Sequence, residues 1–409
     1  MIGVVAKASI FSAGASLFAY GLTILLARGD SQSAFAAFSY TIVWALVFVQ
    51  LLDLAAEQCV THLVKSRELV PSRVVANLYT AKLACTAVLF GLVVLANEVF
   101  GAGIPYAAFL FLVPAFYLGP VFELRALNLI FVKLLLCEKI ALVFFSFVYL
   151  RYRPLDMGVY LAYFGVSIAS LALQFRFLRI ERPRLIHFDS KLVTDYVLTY
   201  WPIYLTLIAQ LAYGHFSRIV IEAKLGLIAF ASVSLALQIV NSLAIVQTQV
   251  DRHVRPRIIE TINANQFGLL WQLSRRYVTH YLGSLALACA VLFVCAEGLV
   301  VLLFGEQWRQ VAMYLQYLTP LVISVALLRY LDILSLGLYT SRANLLANCM
   351  AAILLVTTLT QIPQGYPAHF FLLAIVAFQY MHVLVVGLYL SWVMRVRVRS
   401  KAACALYGK

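Results

Sequence analysis

Residues 279–303 read THYLGSLALACAVLFVCAEGLVVLL, with Glu297 the one charged side chain among them. A helix rises 1.5 Å per residue, so a stretch of this length covers the roughly 30 Å hydrocarbon core of a bilayer. The apolar residues fall on every face of the helix, which requires lipid or protein all round it. The rest of the chain repeats this composition. Of its 409 residues 64% are hydrophobic and only 12% are charged, and the mean hydropathy is +0.93. Soluble domains carry about a quarter charged residues. A soluble fold of this length has too little interior to hide so much apolar surface, so lipid must be the solvent for most of it.

Runs of about 20 mainly apolar residues recur along the chain. They predict spans at 8–27, 35–60, 75–96, 104–122, 126–150, 157–178, 196–217, 226–250, 279–303, 311–338, 343–361 and 368–393. The fold class expected is therefore all-α, a polytopic integral membrane protein of about twelve transmembrane helices. The first run begins close to Met1 and is long enough to span, so it is expected to be an uncleaved helix rather than a removed signal.

The formal net charge is +14. Its carriers sit mostly in short segments between apolar runs, which argues for membrane anchoring and against a nucleic-acid-binding face. With the even-numbered loops and both termini inside, about 20 of the basic residues fall inside, about 6 outside and about 5 in spans. Both termini are thus expected in the cytoplasm. The stretch RIERPRLIHFDSK (179–191) is polar, basic and contains a proline. It reads as a linker. The expected organisation is a six-helix bundle over 1–178, a cytoplasmic basic linker over 179–195, a second six-helix bundle over 196–394 and a basic tail over 395–409. A second polar segment contains FGLLWQLSRRY (267–277), which fits an amphipathic helix lying in the interface.

The halves share a local pattern. Residues 24–39 read ILLARGDSQSAFAAFS and residues 219–234 read IVIEAKLGLIAFASVS. Each gives an apolar helix end, Ala with a basic residue, a short turn, then Ala-Phe-Ala-x-x-Ser opening the next helix. Six spans per half would relate the halves by an axis along the membrane normal.

Ionisable residues at membrane depth are costly, so they line wet cavities or pair with each other. Asp53 and Glu57 stand four apart on the second span, Lys82 on the third, and Lys133, Glu138 and Lys139 on the fifth. Arg329 and Asp332 stand three apart on the tenth, close enough to meet on one helix face. Arg28, Arg218 and Lys224 fall at helix ends. On one reading Lys82, Lys133, Lys139, Arg329, Arg28 and Arg218 are cavity cations that compensate an anionic substrate. Asp53, Glu57, Glu138 and Asp332 are then candidates for binding a coupling proton or sodium ion. On the other, these groups form internal ion pairs, with Lys82 bridging to Asp53 or Glu57, and the end residues snorkel to headgroups. Pro114, Pro120, Pro202 and Pro320 fall in or beside spans, where they free carbonyls and permit bending.

The seven cysteines form no CxxC or Cys/His cluster, and the histidines show no HExxH spacing. There is no nucleophile elbow, Walker loop or GxGxxG after a strand. No catalytic residue, metal or organic cofactor is expected, and the outer loops are too short for the large catalytic loop of a membrane polymerase.

Three stretches carry a family resemblance. They are ILLARGDSQSAFAAFSYTIVWALVFVQLLD (24–53), residues 218–258 from RIVIEAKLGL to RHVRPRI with Pro256, and residues 303–344, which open LFGEQW. In these the chain resembles the polysaccharide (O-antigen) flippases, a branch of the multidrug/oligosaccharidyl-lipid/polysaccharide exporter superfamily. Gly29-Asp30 stands where that family usually has Leu-Gly. The resemblance implies two helix bundles around a central cavity. It also implies an undecaprenyl-pyrophosphate-linked oligosaccharide moved across a bacterial inner membrane by alternating access, with a polysaccharide polymerase and a chain-length regulator as partners. Small-molecule export is the alternative within the same superfamily, and a polymerase or acyltransferase is the alternative outside it.

Overall fold

The computed structural model describes residues 2–29, 31–54, 56, 59–60, 71–125, 127–153, 155–178, 189–338 and 340–407. Every regular element among them is helical. Eight helices are long and apolar enough to cross a membrane, and shorter apolar helices cover 13–29, 106–122 and 227–241. The chain is a multi-pass helical membrane protein. Its outward surface is what lipid demands: Leu287, Val291 and Val294, spaced four and three apart on one helix face, are exposed together.

The chain divides into two compact units, Met1–Leu211 and Ala212–Lys409. The first contains α1 (Ile2–Gly29), α2 (Gln32–Asp53) and α3 (Pro71–Phe100). Two 3₁₀ segments follow, Tyr106–Phe111 and Val113–Phe116, then α4 (Gly119–Leu124), α5 (Asn128–Leu150), α6 (Met157–Leu178) and α7 (Ser190–Leu211). The second opens on a π-helical turn (Ala212–Phe216) and continues through α8 (Ser217–Leu225), α9 (Leu227–Asn263) and α10 (Phe267–Arg276). After a second π turn (Tyr277–Leu282) come α11 (Gly283–Phe304), α12 (Gln310–Gly337), α13 (Ser341–Gln361) and α14 (Ala368–Tyr407).

Each expected span meets a helical segment, with one change of kind. The fourth, at 104–122, is not a continuous α-helix but 3₁₀ turns broken at Tyr117, whose backbone is extended. Proline has no N–H and clashes with the turn before it. Pro105, Pro114 and Pro120 fall within sixteen residues, so no uninterrupted α-helix fits there. Helix α5 is absent from the eight long apolar helices because it carries Lys133, Glu138 and Lys139.

The unit boundary also differs from the expected linker. Residues 179–188 lie outside those described, and α7 packs with the first unit instead of opening the second. Hydrogen bonds explain this. Tyr196 and Tyr204 on α7 donate to the carbonyls of Leu54 and Leu51, and Gln50 on α2 donates back to the Leu207 carbonyl. Around them Val74 and Leu78 of α3 pack with Tyr196 and Tyr200 of α7.

Helix α1 lies along α5, where Gly14 lets Leu136 approach its backbone. In the second unit α12 packs on α9, α11 and α14, and Trp308, Phe230 and Phe371 are fully buried. The two turns that look alike in sequence are built differently. Ser31 caps α2 by accepting from the Ala34 N–H, and the α8–α9 turn is made by Gly226 at φ +85°, a left-handed conformation that side chains disfavour.

Candidate functional site

The irregular segment Ala115–Leu118 leaves backbone groups without helical partners. In a membrane interior such groups must be satisfied by protein. Side chains from two helices of the first unit, α3 and α6, do this, one after another. Lys82 of α3 donates to the Ala115 carbonyl at 2.6 Å. The Tyr79 hydroxyl donates to the Phe116 carbonyl. Gln174 of α6, wholly buried, accepts from the Leu118 N–H at 2.9 Å. Tyr117 inverts the direction and gives its own hydroxyl to Glu138 Oε2 of α5 at 2.6 Å.

Two ion pairs are built into this seam. Lys82 Nζ lies 3.3 Å from Asp53 Oδ1, at the C-terminal end of α2. Lys139 Nζ lies 2.7 Å from Glu138 Oε1. Glu138 has no exposed side-chain surface, and both its oxygens are engaged. Ser167 and Ser170 of α6 lie by the Tyr117 hydroxyl, while the Ser170 hydroxyl and the Gln174 amide nitrogen have no hydrogen-bond partner. Beside Lys82 and Tyr117 is a cavity of about 30 Å³, lined also by Ala56, Leu78, Leu118 and Pro120. That is space for a water molecule or two. The first unit thus contains a charge-compensated polar seam at membrane depth, anchored on broken backbone and open to small hydrogen-bonding species.

The expected site residues divide as follows. Asp53, Lys82, Glu138 and Lys139 enter the seam. Lys82 and Lys139 are therefore paired cations: Asp53 reaches Lys82 from the end of α2, and Glu138 is the chain neighbour of Lys139 on α5. Lys133 is exposed on α5, its ammonium 5.3 Å from the centre of the Phe11 ring, a cation–π contact. Arg28 is exposed at the end of α1. Glu57 lies outside the described residues.

In the second unit Arg329 and Asp332 are half-buried on α12, and Asp332 accepts from the Asn344 amide at 2.7 Å. Arg218 is buried on α8 and does not snorkel. Its Nε donates to the Gly214 carbonyl at 2.6 Å and its Nη2 to His215 Nδ1 at 2.6 Å. Guanidinium only donates, so His215 is the neutral tautomer with its proton on Nε2. Lys224 donates to the Thr360 carbonyl.

Sequence reasoning missed Tyr79, Tyr117 and Gln174. They carry no charge, and nothing in their spacing marks them. The available signal was the prolines around 105–120, which imply orphaned backbone groups and hence polar neighbours. No group of three or more metal-ligating side chains occurs among the described residues.

No family model matches the chain, and no curated protein matches it. Solved structures do match over nearly its whole length. One is an inward-facing multidrug resistance MATE family transporter of the MOP superfamily, at TM-score 0.64 and 12% identity, covering 95% of this chain and 94% of that one. Another is a mutant of the Vibrio cholerae MATE transporter VcmN, at TM-score 0.63 and 16% identity, covering 97% of each chain. A third is a MOP superfamily transporter from Pyrococcus furiosus, described by a binding pocket of reverse polarity that suggests a different function. It matches at TM-score 0.61 and 12% identity, over 96% of this chain and 95% of that one. The chain has the fold of the MATE transporters of the MOP superfamily.

Proposed function

We propose that the chain is a membrane transporter, not an enzyme, and that it exports an amphipathic small organic solute by alternating access. The observation that carries this reading is the compensated seam of the first unit within a MATE-type fold. Lys82 and Lys139 are each held by a carboxylate, so the seam itself does not offer the bare cations that an anionic headgroup needs. A carboxylate such as Glu138, holding one lysine, can exchange that cation for a coupling proton or sodium ion and keep its own charge balanced, with the released ammonium turning to its exposed side. The broken backbone at Tyr117 supplies a place where the helix packing can shift. The membrane is the bacterial inner membrane that the family resemblance implies, and both termini lie in the cytoplasm, as the placement of Lys and Arg suggests.

A second reading is kept by a specific observation. Lys133 has no carboxylate partner among the described residues, and the chain as a whole is basic. These features, with the family resemblance, favour a lipid-linked oligosaccharide whose pyrophosphate is drawn to cations, handed on to a polymerase and a chain-length regulator. The Pyrococcus furiosus neighbour supports keeping both, since this fold tolerates more than one pocket polarity.

The test is a chromosomal deletion in the source cell, complemented by the full chain. Ethidium accumulation and surface polysaccharide are measured side by side. Small-solute export predicts that deletion raises ethidium accumulation and leaves the surface glycan intact. Loss of surface glycan with unchanged ethidium would replace it with the flippase reading. No change in either refutes both substrate classes.

A further inference from the structure

The middle of the second unit holds polar groups that the seam does not use. His382 is the midpoint of the apolar stretch Ala368–Val396 and is buried to 2% exposure. Neither of its ring nitrogens has a hydrogen-bond partner. The same is true of the Tyr213 hydroxyl and of Gln379 Oε1. The rings of His382 and Tyr213 are stacked, with centroids 5.9 Å apart and planes 16° from parallel. Gln379 precedes His382 by three residues, hence lies on the same face of α14, and is buried as well.

An imidazole in hydrocarbon costs free energy on both of its nitrogens, and a phenyl ring would fill the space without that cost. Buried polar groups without partners call for a ligand. The donor and acceptor set points to one of the smallest kind. A neutral imidazole has one basic nitrogen, the face of Tyr213 is the negative pole of an aromatic quadrupole, and Gln379 Oε1 is a spare acceptor.

We propose that His382, stacked on Tyr213 and one turn from Gln379, is a proton-binding site within the second unit. The basic ring nitrogen takes a proton from water, giving an imidazolium. Its two N–H groups then donate, one of them toward Gln379, while its charge rests on the tyrosine face. The elements packed against α14 carry few other titratable groups that bear on it. On α8 these are Arg218, Glu222 and Lys224, on the π turn before it His215, and on α12 Tyr314, Tyr317, Arg329, Tyr330 and Asp332. Arg218 is committed to Gly214 and His215, Lys224 to Thr360, and Asp332 to Asn344. Among the described side chains α13 adds only Cys349. The site uses the transporter reading only for what the proton would drive.

The experiment reads protonation directly, without any substrate. The full chain, labelled with ¹⁵N-histidine in lipid bilayers, is followed by solid-state NMR from about pH 8 to about pH 4. The signal lost in His382→Gln is that of His382. A chain keeping His382 as its single histidine gives the same assignment without altering the site. The expected result is conversion of this signal from neutral imidazole to imidazolium within the range. Tyr213→Leu should lower the midpoint by about half a unit or more, while Tyr213→Phe, which keeps the ring, and Glu222→Gln should leave it in place. A His382 that stays neutral throughout overturns the proposal. So does a midpoint that Tyr213→Phe and Tyr213→Leu move equally, since the ring face would then play no part. Both outcomes are independent of whether the protein exports ethidium or glycan.

Discussion

Lys82 reaches the carbonyl of Ala115 at 2.6 Å and only then, at 3.3 Å, the carboxylate of Asp53. The shorter contact is to backbone, so the lysine holds the broken segment in place as well as balancing a charge. Lys82 is almost wholly buried, whereas Asp53 keeps 29% of its side chain exposed.

The two partners should therefore respond unequally to mutation. Lys82→Met orphans the Ala115 carbonyl and leaves Asp53 without its cation, a loss expected at about 3 kcal/mol. Asp53→Asn leaves the carbonyl bond intact but strips the buried Lys82 ammonium of its counter-charge, and is expected to cost about 2 kcal/mol. Thermal unfolding of both variants in detergent measures the difference. Equal losses would mean that the ion pair, and not the carbonyl bond, is the main contact.

Glu138 and Lys139 make a second prediction. Glu138→Gln leaves the lysine without its counter-charge and weakens the Tyr117 bond. Lys139 is a quarter exposed, so the expected loss is about 2 kcal/mol rather than the larger figure for a fully buried pair. Glu138→Gln combined with Lys139→Met removes both charges and should recover at least half of the loss. A double variant no better than the single one would show that the Tyr117 contact carries the stability.

Gln174 tests the backbone side of the seam. Gln174→Leu is close in size but cannot accept from the Leu118 N–H, which stays buried. Leaving that donor unsatisfied is expected to cost about 2 kcal/mol. Amide hydrogen exchange should quicken at Leu118 and its neighbours before it quickens in α1. Uniform loss of protection across the unit would instead mean that Gln174 acts by filling space.

How much of this was legible follows from what each signal measures. Hydropathy finds lipid-length runs because α11 is apolar on every side, and it finds α5 too, despite three charges. It is blind to hydrogen bonding, so 104–122 reads as one more span, although its prolines already deny it a continuous helix. The Lys82–Asp53 bridge was open to sequence reasoning because a hairpin sets the two helices side by side. The Glu138–Lys139 pair was not, since chain neighbours on a helix point about 100° apart and are not expected to meet. Here Lys139 folds back to its neighbour's carboxylate while Tyr117 takes the far oxygen. Arg218 looked like an anchor at a helix end because its π turn, which supplies the Gly214 carbonyl and His215, cannot be read from periodicity. His382 is one histidine in an apolar helix, and its stacking on Tyr213 comes from residues 169 positions apart in sequence.

Asp156 gives a pH-dependent prediction outside the spans. It lies in the turn between α5 and α6, where the Tyr149 hydroxyl and then the Gly158 N–H donate to its carboxylate. These bonds favour the charged form and hold its carboxyl below the usual range. A depressed carboxyl contributes order above its unfolded value and loses it as pH falls through the folded value. Protection of the Gly158 amide, its exchange measured against the unstructured rate at the same pH, should thus be high at neutral pH and fall below about pH 4. Asp156→Asn should flatten that dependence. If protection does not change with pH in the parent protein, the bonds seen at this turn do not persist in solution.

The amphipathic segment expected at 267–277 forms α10, with Leu270 buried and Trp271 exposed to 72%. A short helix with a basic end at Arg275 and Arg276 and an outward tryptophan is suited to the bilayer interface, where an indole keeps its body in apolar surroundings and its N–H wet. The deeper surface of α11 is purely aliphatic at Leu287, Val291 and Val294, so Trp271 should mark where headgroups begin. In a variant retaining Trp271 as its single tryptophan, lipids brominated near the headgroup should quench its fluorescence more than lipids brominated near the chain end. Trp271→Ala should leave the fold unchanged and loosen α10, read as faster amide exchange between Phe267 and Arg276. Stronger quenching from the chain ends would put α10 within the hydrocarbon, which its charged end makes costly, and would require a different placement of the second unit's polar boundary.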